Sequence, residues 1–139
     1  MKSIYLFIVF VLCLTFNCLS QQRYLEKEVT MDHDTMFLKK DMHKLSGVLY
    51  NEYGEIGFFK NGLREGIHKE WFRNGNLKDE IFYSNGLKDG EFRYWDANGQ
   101  LLKEGHYIKN NLDGLIKEWY HNGNIKLEVH YINGDMHGL

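Results

Sequence analysis

Glu80, Glu104 and Glu128 recur every 24 residues, and carboxylates brought together in pairs can act as general acid and base. His106 and His130 repeat at the same interval, and imidazoles brought together can hold a metal ion. The even spacing argues against both uses. If each interval is one unit of two strands, the repeated side chains stand ~10 Å apart, whereas the ligands of a zinc ion lie ~2 Å from it. Each glutamate is then expected to face a cross-strand neighbour in its own unit. His33, between Asp32 and Asp34, is a tighter group and reads as a polar turn. Ser46 and Ser84 are the only serines after residue 20, and both sit beside turn glycines. A nucleophile with a base and an orienting acid therefore lacks its raw material. Asn85 to Gly90, NGLKDG, has the glycines of a phosphate loop, but no helix follows to present its N-terminus. The sequence calls for no catalytic residue, no metal and no cofactor.

The elements that carry these residues follow from the repeat. Gly66, Gly90, Gly114 and Gly138 are spaced by 24 without an insertion, which means stacked supersecondary units. Trp71, Trp95 and Trp119 hold one offset, and Asn-Gly follows at Gly75, Gly99 and Gly123. Leu77, Leu101 and Ile125 come next, then Tyr83, Tyr107 and Tyr131. A second turn falls at Asn85-Gly86, Asn110-Asn111 and Asn133-Gly134. Two short runs per unit, each ending in a turn, predict β-hairpins and leave no room for a helix. The fold class is all-β: an elongated, single-layer antiparallel meander of 24-residue hairpin units at about 45–65, 66–89, 90–113 and 114–139, with capping strands in 21–44. Proline is absent, so glycine and asparagine do the turning.

A three-residue turn such as Arg73-Asn74-Gly75 predicts a register. It sets Trp71 opposite Leu77, Trp95 opposite Leu101 and Trp119 opposite Ile125, an aromatic ladder that makes the sheet cohere. It also sets Ile67 opposite Ile81, Leu115 opposite Val129, Glu70 opposite Lys78 and Glu118 opposite Lys126. In the middle unit the corresponding pair is Tyr94 with Leu102, and Phe92 and Phe82 are placed on the same face. These four side chains would form an apolar patch, and such patches mark interaction sites.

Ile4 to Phe16 is an apolar run of 13 residues behind a basic start. That is the length of a secretory h-region and short of the ~20 residues that span a bilayer. Residues 1–20 therefore read as a signal peptide cleaved after Ser20, giving a secreted or periplasmic protein. Membrane association would run through an uncleaved or lipidated N-terminus at Cys18. Both cysteines, Cys13 and Cys18, leave with this segment, so the mature domain is held without disulfides. Formal net charge is −2, and loss of Lys2 makes it −3, which disfavours nucleic acid as a partner.

The pattern GxxxxWxxNGxLxxExxYxxG, with Met36 to Glu55 leading into it, resembles the MORN-repeat variant (membrane occupation and recognition nexus) proteins of bacteria, the YwqK-type antitoxin family of toxin–antitoxin systems. The resemblance covers Met36 to Leu139. It implies a twisted single sheet of hairpins, and for function a protein that neutralises a partner toxin. An exported chain cannot meet a cytoplasmic toxin, so the residues favour a non-catalytic module that binds a protein or envelope component. A second copy of the chain is the alternative cover for the patch. N-terminal sequencing of the protein recovered from the envelope is expected to begin at Gln21; an intact Met1, or a lipid on Cys18, would contradict export with cleavage.

Overall fold

Asparagine and glycine make the reversals of the repeat region, joined by Lys109 in the middle unit. In the computed structural model, which describes residues 22–137, the amide of Gly75 donates to the Phe72 carbonyl and that of Phe72 to the Asn76 carbonyl, each at 2.9 Å. The same pair of bonds closes Asp96–Gln100 and Tyr120–Asn124. Gly75 has φ 85°, a left-handed conformation that glycine adopts without steric cost. The second turns are two-residue reversals with both φ values positive, as at Asn85 and Gly86, the type whose twist suits a hairpin. In the middle unit the two turn residues are Lys109 and Asn110, one place earlier than the expected Asn110-Asn111. The segment read as a signal peptide, 1–20, lies outside the described residues.

Among the described residues the strands are β1 (Arg23–Leu25), β2 (Val29–Asp32), β3 (Thr35–Leu38), β4 (Gly47–Tyr50), β5 (Glu55–Lys60), β6 (Leu63–Trp71), β7 (Leu77–Ser84), β8 (Leu87–Trp95), β9 (Leu101–Ile108), β10 (Asn111–Leu112), β11 (Gly114–Trp119), β12 (Ile125–Ile132) and β13 (Asp135–His137). One sheet runs β1-β4-β5-β6-β7-β8-β9-β11-β12-β13, with β10 paired to β9. The all-β meander of hairpins expected from the repeat is the observed fold. Its beginning differs from expectation. β2 and β3 pair with each other apart from the large sheet, and β1 joins β4 in parallel. The capping segment is therefore a second layer, because Val29, Met36 and Leu38 bury themselves against Leu45, Leu49 and Phe59.

The register also differs. Trp71 does face Leu77, Trp95 faces Leu101 and Trp119 faces Ile125. A bulge then follows in each hairpin, between Glu70 and Trp71, Tyr94 and Trp95, and Glu118 and Trp119. Lys78, Leu102 and Lys126 are the extra residues, so Glu70 faces Asp79, Tyr94 faces Lys103 and Glu118 faces Leu127. A one-residue slip moves every later side chain to the other face. It sets His68 against Ile81 and Ile116 against Val129, in place of Ile67 with Ile81 and Leu115 with Val129. The gain explains the choice. Ile81, Phe92, Ile116 and Val129 form one buried cluster, each side chain worth ~1.5–3 kcal/mol when fully buried, while a like-charge pair such as Glu70 with Asp79 costs at most ~1 kcal/mol. The lysines still reach their acids across the bulge: Lys78 lies 2.8 Å from Glu70 and Lys126 3.3 Å from Glu118.

Gly105 is the tightest point of this cluster. A Cβ there would stand 2.2 Å from Ile116 Cδ1 and 3.0 Å from the Phe92 ring, and both neighbours are 1% exposed, so neither has room to withdraw. Gly105→Ala is expected to destabilise the fold by roughly 1–3 kcal/mol, the range for overpacking. Adding Ile116→Val, which removes Cδ1, should recover much of that loss in urea unfolding. Equal stability of the single and double variants would show that Gly105 is not held by this contact.

Candidate functional site

The bulge sorts the residues of the repeat onto two faces with different chemistry. On one face Lys69, Glu80, Arg93, Glu104, Lys117 and Glu128 are successive cross-strand partners over six strands. Lys69 lies 3.6 Å from Glu80, Arg93 3.7 Å from Glu80 and 4.0 Å from Glu104, and Lys117 3.3 Å from Glu128. The three glutamates are thus each matched to a cation of their own unit, as their spacing implied. His106 faces Glu91 and His130 faces Leu115 and His137. His33 Nδ1 is 2.8 Å from Asp32 Oδ1. Among the described residues no three His, Cys, Asp or Glu side chains converge as a metal site. Ser46 Oγ accepts the Asn61 backbone N–H at 2.9 Å, and Ser84 Oγ lies 3.4 Å from the Asn85 side-chain Nδ2.

The expected apolar patch is divided between the faces. Phe92 is buried at 1% exposure, with its ring 5.4 Å from that of Tyr94 and 4.6 Å from that of Tyr107. Leu102 is the bulged residue of its hairpin and no longer faces Tyr94. Phe82 pairs instead with Ile67 on the charge-row face, and they are 40% and 50% exposed. The Phe82 ring lies over Gly90, where a Cβ would come within 2.8 Å of it. Ile67, Phe82, Gly90, Glu91 and His106 line a shallow cavity of about 310 Å³ there. Ile67 was missed as a patch residue because its exposure depends on the bulge. The repeat tryptophans stand half-buried at the hairpin necks, and Ile125, partner of Trp119, is 57% exposed, so the last of these pairs is at the surface.

The opposite face holds a polar cleft of about 310 Å³ walled by Arg64, His68, Asp79, Tyr83, Lys88 and Tyr94. A larger cavity of about 580 Å³ adjoins it beneath the β2–β3 hairpin, sharing Ile56, Arg64 and Glu70 and reaching Met31 and Trp71. The Arg64 guanidinium sits 5.2 Å from the centre of the Tyr83 ring, and Lys88 Nζ 5.1 Å from that of Tyr107, both cation–π contacts. His68 is 5% exposed. Its Nε2 lies 2.8 Å from the Phe58 carbonyl oxygen and so carries the proton, while Nδ1 is buried without a partner. Burial lowers its pKa to about 4. Asp79, 8% exposed, is pushed the other way, to about 6, first by burial and then by Glu70 opposite it. Burial also raises the Tyr94 hydroxyl, with Tyr107 adding to the effect.

The family model described as MORN repeat variant matches residues 64–85, 88–109 and 112–133. The chain therefore carries three tandem MORN-variant repeats, beginning on β6 and ending at the turn before β13. No curated protein and no solved structure matches the chain.

The two buried titrations act on stability with opposite signs. Folded Asp79 holds its proton up to about pH 6 instead of 3.8, so it removes stability as pH rises through that window. Folded His68 stays neutral down to about pH 4 instead of 6.5, so it adds stability as pH rises through the same range. Asp79→Asn should remove the opposing slope, giving a chain that gains stability steadily from pH 4 to 6.5 and exceeds the parent at pH 7 by on the order of 2 kcal/mol. His68→Leu should instead lose stability as pH rises from 4 to 6. Urea unfolding across this range checks both, and parallel curves for parent and variants would refute the linkage.

Proposed function

We propose that this protein is an exported, non-catalytic repeat module that binds another protein or an envelope component through its sheet surface. The observation that carries the reading is the exposed Ile67–Phe82 pair, set in a cavity beside an otherwise fully charged row. An apolar pair flanked by matched charges offers burial to a partner and orientation through the surrounding ions. The apolar run Ile4 to Phe16 supports export, and the tandem repeats support a binding scaffold. The second reading, an antitoxin or immunity-type protein that neutralises a partner toxin, uses the same surface. Export restricts that toxin to the envelope or the exterior.

The test replaces Ile67 with lysine and Phe82 with glutamate together, copying the Lys69–Glu80 pair beside them. The doubled variant is expected to melt within a few degrees of the parent and to lose the partner recovered by the mature chain from envelope extract. Undiminished recovery by the folded variant would sink this surface, and recovery of a toxin would favour the second reading.

A further inference from the structure

The cleft on the opposite face contains an acceptor that the chain leaves unanswered. Asp79 is 8% exposed and lines the cavity, yet no described residue donates a hydrogen bond to its carboxylate. The neighbouring donors point away from it. Lys78 donates to Glu70 at 2.8 Å and the His68 Nε2 proton goes to Phe58, while Arg64 and Lys88 rest on tyrosine rings, contacts that turn them from Asp79 but leave their N–H groups free to donate into the cleft. The Asp79 oxygens open into the cleft rather than being sealed in the core, since His68 Nδ1 is the buried side-chain atom left without a partner among the described residues, and a ligand's hydroxyls can therefore reach them.

The mixture of groups around Asp79 selects among ligands. An organic cation would meet Arg64, Lys78 and Lys88 in the same cleft, and a simple anion would meet Asp79 and Glu70. A neutral ligand carrying several hydroxyls uses both sets, giving protons to the carboxylate and accepting them from the two cations. Its C–H face would lie on an aromatic ring, and Tyr94 and Tyr83 line the cleft. The volume of about 310 Å³ is at the small end of ligand pockets. We propose that this cleft is a saccharide subsite, in which two hydroxyls of one sugar ring donate to Asp79, Arg64 and Lys88 donate to its remaining oxygens, and Tyr94 carries its apolar face. The inference deepens the binding-module reading by naming an envelope glycan as the component held on this face, and it does not depend on the Ile67–Phe82 surface.

The test uses trisaccharides of glucose, mannose and N-acetylglucosamine as probes in saturation-transfer NMR and calorimetry with the chain from Gln21 onward. At least one is expected to bind, with Asp79→Leu weakening it tenfold or more and Lys88→Gln severalfold, while the Ile67/Phe82 double variant binds as the parent does. Lys88 is at the surface of the cleft, so its variant stays informative if Asp79→Leu fails to fold. Absence of binding by all three probes, or affinity unchanged in both cleft variants, would overturn the subsite. If that happens while the Ile67/Phe82 variant still loses its partner from extract, the saccharide assignment fails and the binding module stands; if neither surface binds anything, both fail.

Discussion

One extra residue per hairpin decides which way the whole sheet faces. Lys78, Leu102 and Lys126 have no single partner across the strand, and each hands the rest of its strand to the opposite side. From that shift follow the buried line of Ile81, Phe92, Ile116 and Val129, the unbroken charge row behind it, and the meeting of Glu70 with Asp79 in the cleft. Bulges also increase local twist. Repeating them at one place in successive units spreads that twist evenly along the sheet.

A chain with no cysteine after Cys18 has to join its two clusters by packing. The N-terminal cluster around Leu45 and Phe59 and the repeat cluster around Phe92 meet through His68, whose ring stands edge-on to Phe59 at 4.9 Å and to Tyr83 at 5.3 Å. That position accounts for a neutral, deeply buried imidazole. His68 spans the gap as an aromatic ring and keeps one hydrogen bond, to Phe58, that a phenyl ring could not make. Gly57 makes the space, since a Cβ there would lie 2.7 Å from the imidazole.

Much of this was legible in the residues. The interval from Gly66 to Gly114, the turns at Gly75, Gly99 and Gly123, and the facing of Trp71 with Leu77 all follow from local chemistry, because a turn controls only the few residues it touches. The bulge was not legible for the same reason. Ile67 and Ile81, or Leu115 and Val129, make acceptable pairs in the unbulged register, and only the shared cluster across three hairpins, with Gly105 opening room for Phe92 and Ile116, decides between the two. The folding-over of β2–β3 was hidden too, since alternation in Val29–Asp32 and Thr35–Leu38 marks strands without saying which sheet they join. The cleft could have been found by asking which unit puts two acids side by side, but that question has meaning only after the slip.

The two faces of the array are not equally interchangeable. On the charged face each unit supplies the same signs, a cation at Lys69, Arg93 or Lys117 and an acid at Glu80, Glu104 or Glu128, so one unit fits beside any other. On the cleft face the succession Glu70, Asp79, Tyr94, Lys103, Glu118, Leu127 has no such symmetry. Excising residues 90–113 would rejoin the charged row without a fault but bring Asp79 against Glu118 in place of Tyr94. Duplication and loss of units can therefore lengthen or shorten the scaffold freely from one side, while the other side fixes the middle unit in its place and gives an otherwise periodic chain a single address.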